Sequence, residues 1–488
     1  MKKGRITNKE LKHLGINHPD MLVAVSKEAN DLLKKRKTTK QQLLGFIDAA
    51  MLGSDSSDAQ DDTLDELNRI IRKFLKNNPK EPLQVKSIRD VSLRSSPLPY
   101  PVFGKDYIES GAIEQMERAM SLPIACAGAL MPDAHQGYGL PIGGVLATEQ
   151  NTVIPYAVGV DIACRMCMSV YPVNTEYIER RRFRLREMLE EHTVFGVGAK
   201  SKSHLSNEVF DKHDWGATKF IRQHRDLAYS QLGTSGAGNH FVEWGELSVI
   251  KDAPEVTLKR GDYLALLSHS GSRGFGNEVA SYYSKVAMAR INLPKEARHL
   301  AWLNLAEQEG HEYWVAMNLA GEYASANHHE IHGKISREFG EHPLTKIESH
   351  HNFAWKEKLL NGKHVVIHRK GATPAGEGAI GIVPGSMTHP GFVVRGKGSA
   401  KSLNSASHGA GRIMSRSKAL KTFTKSDLEN ILLKHKVELV GGDIDEIPFA
   451  YKDIETVMGL QNELVEIIAV FQPRIVRMAD GDRRRRRR

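Results

Sequence analysis

The sequence predicts a mixed α/β (α+β) protein, one large domain preceded by a helical extension. Three observations predict it. At 488 residues the chain is long enough for a large buried core. Apolar residues recur at helical spacing near the two ends. Between them, from "SSPLPYPVFG" to about residue 420, the texture changes to glycine-rich turns, short apolar runs and many histidines, which is the pattern of strands joined by functional loops.

The extension, residues 1–92, is read as helical. "TNKE", Thr7 to Glu10, is a capping-box pattern, and Leu64, Leu67, Ile70, Ile71, Phe74 and Leu75 fall on one helical face. The acidic "GSDSSDAQDD" between them is a linker. Residues 93–482 form the large domain with glycine-rich loops. Near its end, "KSDLENILLKH" and "ETVMGLQNELVEIIAVF" are expected to return to amphipathic helix. No internal repeat of fixed period is found.

Formal charge is +10, but six positive charges lie in the terminal run Arg483–Arg488, so the remainder carries only +4. That excludes a histone-like net charge and leaves room for a local basic site. The arginine run, 483–488, reads as a solvated or nucleic-acid-binding tail. No apolar run reaches the roughly 18 residues that span a bilayer, and the first residues lack the apolar core of a signal peptide, so a cytoplasmic, non-membrane protein is expected. Three cysteines cannot build a disulfide framework. Cys164 and Cys167 form a CxxC, a weak signal for redox chemistry or half a zinc site, and their neighbours argue for another role.

Those neighbours form a set of short motifs. In "GVDIACRMC" Asp161 precedes Cys164 by three residues, a spacing that aims a carboxylate and a thiolate at one point from a turn. "GNHFVEWGE" supplies His240, "LSHSGSRG" supplies His269 with Arg273 four residues on, and "ESHHNFAWKE" supplies His350 and His351. Carboxylate, thiolate and imidazoles make a ligand set for a borderline divalent ion such as Mn²⁺, Zn²⁺, Co²⁺ or Ni²⁺. Two further motifs suit an anion. "HRKGAT" carries Lys370, and the later "PGSM" turn can offer backbone N–H groups to a phosphate. In "NSASHGAGRIMSRSKA", His408 lies among small residues with Arg412, Arg416 and Lys418 following at helical intervals. Metal ligands upstream and an uncommitted imidazole among cations point to nucleotidyl transfer.

Together "DAHQGYGLPIGG", "GVDIACRM", "GNHFVE", "SHSGSRG", "HNFA", "HRKGAT", "PGSM", "SHGAGRIMSRSKA" and "DEIPFAYKDI" resemble, in order, the RtcB family of RNA ligases from about Tyr100 to Asp480. The resemblance implies a single RtcB-like catalytic domain that joins RNA 2′,3′-cyclic phosphate or 3′-phosphate ends to 5′-hydroxyl ends, using GTP and two Mn²⁺ ions. It implies Asp161, Cys164, His240, His269 and His351 as metal ligands and His408 as the nucleophile that forms a histidine–GMP intermediate. Around the guanine nucleotide it places Asn239, His240, Phe241, Val242, Glu243, His351, Asn352, Pro384, Gly385, Ser386, Met387 and His408 with Gly409, Ala410 and Gly411. Arg273, Lys370, Arg412 and Arg416 would contact phosphates of RNA or GTP, and Tyr451 would lie against the base. The implied partners are broken-ended RNA and GTP, in repair or tRNA splicing, with room for an activating accessory protein. The chain departs from the family pattern at Ala163 and Arg165, where two glycines are usual, and at Ser407 and Gly391. It also ends in "RMADGD" where the family ordinarily has a lysine. These departures keep open an enzyme that stops at RNA end processing, and an inactive RNA-binding relative.

Overall fold

The computed structural model describes residues 89–201 and 205–481 continuously and, before them, several stretches between residues 5 and 71. It divides into two compact units, Met1–Gln84 and Val85–Arg488. In the first unit, α1 (Asn8–His13) and α2 (Pro19–Lys34) pack around Leu11, Ile16, Val25 and Leu32. Thr7 caps α1 as its sequence predicts: its backbone N–H donates to Glu10 Oε2 at 2.9 Å, and the Glu10 N–H donates back to Thr7 Oγ1 at 3.3 Å. Leu67 and Ile71 are buried in the same core. Leu64, Phe74, Leu75, the acidic linker and the terminal arginines lie outside the described residues.

The second unit is built on two main sheets. Its strands are β1 (Ala125–His135), β2 (Ile142–Glu149), β3 (Arg165–Tyr171), β4 (Phe241–Val249), β5 (Gly261–Ser270), β6 (Thr345–His350), β7 (Asn352–Lys358) and β8 (His364–Lys370). They continue with β9 (Ala372–Pro374), β10 (Ile380–Val383), β11 (Gly391–Gly396), β12 (Ser405–Ser407), β13 (Glu438–Gly442) and β14 (Val465–Asp480). The larger, eight-stranded sheet runs β6-β3-β5-β4-β14-β11-β10, with β13 parallel to β14 at its far end. The smaller runs β7-β8-β2-β1, and β9 pairs β12 in a short ribbon. Helix α3 (Arg273–Arg290) and the long α4 (Gln308–Phe339) cover the assembly, α4 burying Ile331, Ile335 and Phe339 against Tyr171 and Trp244.

The topology gathers the loops that matter. The start of β3, the end of β5 and the start of β4 are neighbours, with Met166 opposite His269 and His269 opposite Phe241. The end of β6 joins them through His350 opposite Arg165. His351 is then the single residue between β6 and β7, where the chain passes from the larger sheet to the smaller one. Across the ribbon, Ala372 pairs Ser407 and delivers the following His408 to the same edge.

The second C-terminal helix expected from sequence is corrected. Lys425–His435 is helical, with a capping box between Thr424 and Asp427. Of the other segment only Ile454–Gly459 is helix; from Val465 the chain is a sixteen-residue strand at the centre of the larger sheet. The Val and Ile run "VEIIAV" is buried between layers, and a short apolar run of that kind has no helical period to follow. Pro473, lacking an N–H, falls where the ladder with β4 slips register.

Candidate active site

The turn before β3 does what the three-residue spacing demands. The Cys164 N–H donates to the Asp161 carbonyl at 3.1 Å, so the turn closes and brings the two side chains together. Cys164 Sγ lies 3.1 Å from His269 Nε2 and 3.5 Å from His240 Nε2. Asp161 Oδ2 is 2.9 Å from His240 Nε2, and His269 Nε2 is 3.4 Å from His351 Nε2. Carboxylate, thiol and three imidazoles thus face one point, and Cys164, His240 and His269 are buried. The far nitrogens are anchored: His240 Nδ1 on the Ser235 carbonyl at 2.8 Å and His269 Nδ1 on the Asn239 carbonyl at 3.1 Å. Those contacts fix the tautomers and leave Nε2 of each ring facing the cluster.

Electrostatics match a metal-binding role. Burial pulls the pKa of His269 down to about 3 and that of His351 well below its ordinary value, so both rings are held neutral, as ligands must be. Burial acts against the Asp161 charge, but His240 and then Arg273 keep its carboxyl below the usual range. Burial, with Asp161 beside it, pushes the Cys164 thiol well up. The thiol therefore needs a cation to lose its proton here. The donor set fits a borderline divalent ion.

Beside this cluster stands His408, its ring centre 4.9 Å from that of His351. Its Nδ1 lies 2.6 Å from Asp133 Oδ2, and its backbone N–H donates to the same oxygen at 3.2 Å. Asp133 is wholly buried. Burial opposes its charge, yet His408 and Lys452 hold its carboxyl below the ordinary carboxylate range. A fixed carboxylate on Nδ1 leaves Nε2 as the outward lone pair. Two glycines make room: Gly371, at φ 63°, where a Cβ would strike Ile142 and come within 3.1 Å of His408 Cε1, and Gly411, at φ 74°, pressed on the Asp133 carbonyl.

His408 opens onto a cleft of about 680 Å³. Pro384, Gly385, Ser386 and Met387 form one wall; Gly409, Ala410 and Gly411 continue from His408, with Asn239, Phe241 and Glu243 opposite. Glu243 is 3% exposed, and burial alone raises its pKa well above the ordinary value. Val242, next to it on β4, points to the other face and packs with Trp244 in the core, so its side chain does not line the cleft. His240 and His351 belong to the cluster rather than the cleft wall, and Asn352 braces it: its Nδ2 donates to the Asp161 carbonyl at 3.2 Å, and its Oδ1 accepts from the Gly371 N–H at 2.8 Å.

The cations expected to meet phosphates are distributed unevenly. Arg412 and Arg416 line the cleft, but both are engaged by Glu446: Arg412 NH1 to Oε2 at 2.8 Å and Arg416 Nε to Oε1 at 2.6 Å. Arg412 also covers the Tyr451 ring at 4.9 Å, while the Tyr451 hydroxyl bonds Glu446. The helical interval expected for them is corrected, because the helix starts only at Arg416, capped by Ser415, and Arg412 precedes it in the loop. Arg273 opens α3 at φ 55°, its Nε donating to Thr234 Oγ1 at 3.3 Å, close enough to Asp161 to steady its charge. Lys370 is buried, donates to the Tyr138 carbonyl, and has its pKa brought down to about 7 by burial. Of the two replaced glycines, Ala163 keeps a left-handed φ of 55°, and Arg165 turns from the cleft to Glu348 at 2.5 Å.

Sequence reasoning assigned no role to Asp133 or Glu446, although both sit inside quoted motifs. Their partners are 275 and about thirty residues away, and no local spacing announces them. It also passed over a second buried cluster, Cys167 with His328 and His332. There the spacing of the two histidines, one helical turn apart, was the available signal.

Among the described residues no helix is long and apolar enough to cross a membrane. The family model for tRNA-splicing ligase RtcB matches residues 115–479. The RNA-splicing ligase RtcB of Escherichia coli is 33% identical over 390 residues, which cover 74% of this chain and 92% of that protein. The tRNA-splicing ligase RtcB of Methanococcus maripaludis is 31% identical, over 72% of this chain and 87% of its own. The RNA-splicing ligase RtcB homolog 1 of Entamoeba histolytica is 29% identical, over 72% and 79%. With the match spanning most of the large unit and every motif of the site inside it, the chain belongs to the RtcB family.

Proposed function

We propose that the protein is a GTP-dependent RNA ligase that seals 2′,3′-cyclic phosphate or 3′-phosphate ends to 5′-hydroxyl ends. The observation that carries this reading is the His408–Asp133 pair beside a buried carboxylate, thiol and imidazole cluster. A histidine whose Nδ1 is locked at 2.6 Å on a buried carboxylate presents Nε2 as a nucleophile and keeps the charge it gains compensated. Two Mn²⁺ ions at Asp161, Cys164, His240, His269 and His351 would supply a Lewis acid for the triphosphate.

In this reading Nε2 of His408 attacks the α-phosphorus of GTP, a P–N bond forms, and pyrophosphate leaves. A cyclic phosphate is first opened by water to a 3′-phosphate. An oxygen of that 3′-phosphate then attacks the phosphorus, the P–N bond breaks, and the electron pair returns to the imidazole. Finally the 5′-hydroxyl attacks the RNA phosphorus, losing its proton, and GMP leaves. Asp133 stabilises the charged ring in the first step and holds its orientation throughout. Glu243, a buried carboxyl without a basic neighbour to account for it, suits the N1 and N2 hydrogens of guanine, which adenine lacks. Arg273 and Lys370, with Arg412 and Arg416 once Glu446 shares them, would meet phosphates. The substrates are broken-ended RNAs of repair or tRNA splicing, with room for an activating accessory protein, and the site of action would be cytoplasmic. The described domain from residue 93 to 482 would hold all of this, with the segment before it as a separate extension.

The test is incubation of metal-loaded protein with Mn²⁺ and α-labelled GTP, followed by a denaturing gel. A covalent, acid-labile adduct is expected, absent in His408→Ala while metal content stays normal. An equally labelled mutant would reject the nucleophile. The end-processing alternative predicts opening of a cyclic phosphate without joining, which a ligation assay with a 5′-hydroxyl acceptor separates.

A further inference from the structure

Behind the strands that carry Cys164 and His269 lies a second group of donors with no part in the reaction above. Cys167 is in β3 and Ser268 opposite it in β5, and both turn toward α4, where His328 and His332 lie one helical turn apart. Cys167, His328 and His332 are all wholly buried, and their ligand atoms lie within 4.8 Å of one another. We propose that Cys167, His328 and His332 form a structural binding site for a single borderline divalent ion, Zn²⁺ in class, separate from the ligand cluster beside His408.

The hydrogen bonds show how the donor atoms converge. His332 Nδ1 is 2.8 Å from Ser169 Oγ, and His328 Nδ1 is 2.6 Å from Ser268 Oγ. The two ring nitrogens that face a common point are His328 Nδ1 and His332 Nε2, both at Ser268 Oγ, while Ser169 orients His332 through its far nitrogen. The remaining nitrogen of His328, Nε2, is buried on the other side of the ring, which makes a backbone contact with Ser270. An ion bound there takes the place of the Ser268 hydroxyl as the partner of both nitrogens. Ser268 is then at hand as the fourth position that three protein ligands leave open.

Charge permits it. The cations that act on the cluster are Lys346 and Arg165; Arg165 is neutralised by Glu348 at 2.5 Å, and Glu348 stands opposite Cys167 in the sheet. Binding forms an S–metal bond, and the proton of the Cys167 thiol goes to solvent. Because Ser268 and His269 are consecutive in β5, they point to opposite faces. An ion behind the sheet would thus clamp β3 and β5 to α4 and fix the strands whose front edge holds the catalytic ligands.

The experiment uses the full chain, stripped with chelator and titrated with Co²⁺. In Cys164→Ala the one thiolate available to a buried site is Cys167. A sulfur-to-cobalt charge-transfer band is expected in Cys164→Ala and lost in Cys164→Ala/Cys167→Ala. Metal analysis of wild type against Cys167→Ala should show the loss of one tightly held ion per chain, with the His408 adduct still forming below the lowered melting temperature. His328→Gln reads the same loss if Cys167→Ala does not fold. The proposal is overturned if Cys164→Ala gives no sulfur band with Co²⁺, or if His328→Gln retains wild-type metal content. Neither result bears on GTP labelling, so the ligase reading stands or falls apart from this one.

Discussion

Replacing Asp133 by Asn keeps the shape of the side chain and removes its charge from the contact that positions His408. The Oδ2–Nδ1 separation is 2.6 Å and Asp133 is wholly buried, so water cannot substitute for the lost partner. A buried hydrogen bond to a charged group contributes about 1.5–3 kcal/mol. If that energy acts where His408 gains positive charge, the first step slows roughly ten- to 150-fold. Lys452 limits collateral damage, because its Nζ also donates to the Pro132 and Ala134 carbonyls at 2.9 Å and keeps its partners in the mutant. Single-turnover labelling with α-labelled GTP at saturating nucleotide and equal metal content measures the step directly. Labelling of Asp133→Asn at the wild-type rate would show that the carboxylate neither orients nor stabilises the nucleophile.

Three further outcomes are expected. Glu243→Gln should lose discrimination between GTP and ATP by about five- to 150-fold, the equivalent of a buried pair of about 1–3 kcal/mol, read from side-by-side adduct yields; an unchanged ratio clears Glu243 of base recognition. Gly411→Ala places a Cβ against the Asp133 carbonyl at φ 74°, where left-handed backbone alone costs about 1–3 kcal/mol, so labelling should fall sharply while the melting transition remains cooperative; full labelling would mean the turn tolerates displacement. His368 is buried with Nε2 accepting the Ile154 N–H at 2.9 Å, and burial lowers its pKa to about 4, against about 6.5 when unfolded. Its contribution is complete above pH 6.5 and is lost progressively as the pH falls toward 4, at about 1.4 kcal/mol per unit. Urea unfolding across that window should show a shallower pH slope in His368→Gln, and an identical slope would remove His368 from acid lability.

The chemistry of the site was legible wherever a local geometry enforced it. Asp161 and Cys164 meet because a three-residue turn brings them together, and Thr7 caps a helix because Glu10 reaches back. His408 was legible from its small neighbours, since only a turn free of bulk leaves an imidazole approachable. What stayed hidden depends on partners far along the chain. Asp133 is paired across 275 residues, and Glu446 holds both arginines that, read alone, look like free phosphate contacts. The strand from Val465 was read as helix because an apolar run buried on both faces carries no period. Val242 was expected among the nucleotide contacts, yet strand alternation turns its side chain to the opposite face from Glu243.

The passage of the chain through His351 from the larger sheet to the smaller has a consequence for assembly. The His351 N–H donates to the Cys164 carbonyl at 3.0 Å, and the Ala163 N–H donates to the Asn352 carbonyl at 2.7 Å, so two segments nearly two hundred residues apart are stitched together at the ligands themselves. No isolated hairpin contains the donor set: the β4–β5 hairpin carries only His240 and His269, and Asp161, Cys164 and His351 join from β3 and β6 at the same edge of the larger sheet. Closing loops of that length is slow and entropically unfavourable. On the proposed function the cluster would be a checkpoint on maturation: a partly folded chain would offer an ion single, weak donors, and tight uptake would report that β3, β4, β5 and β6 have already assembled.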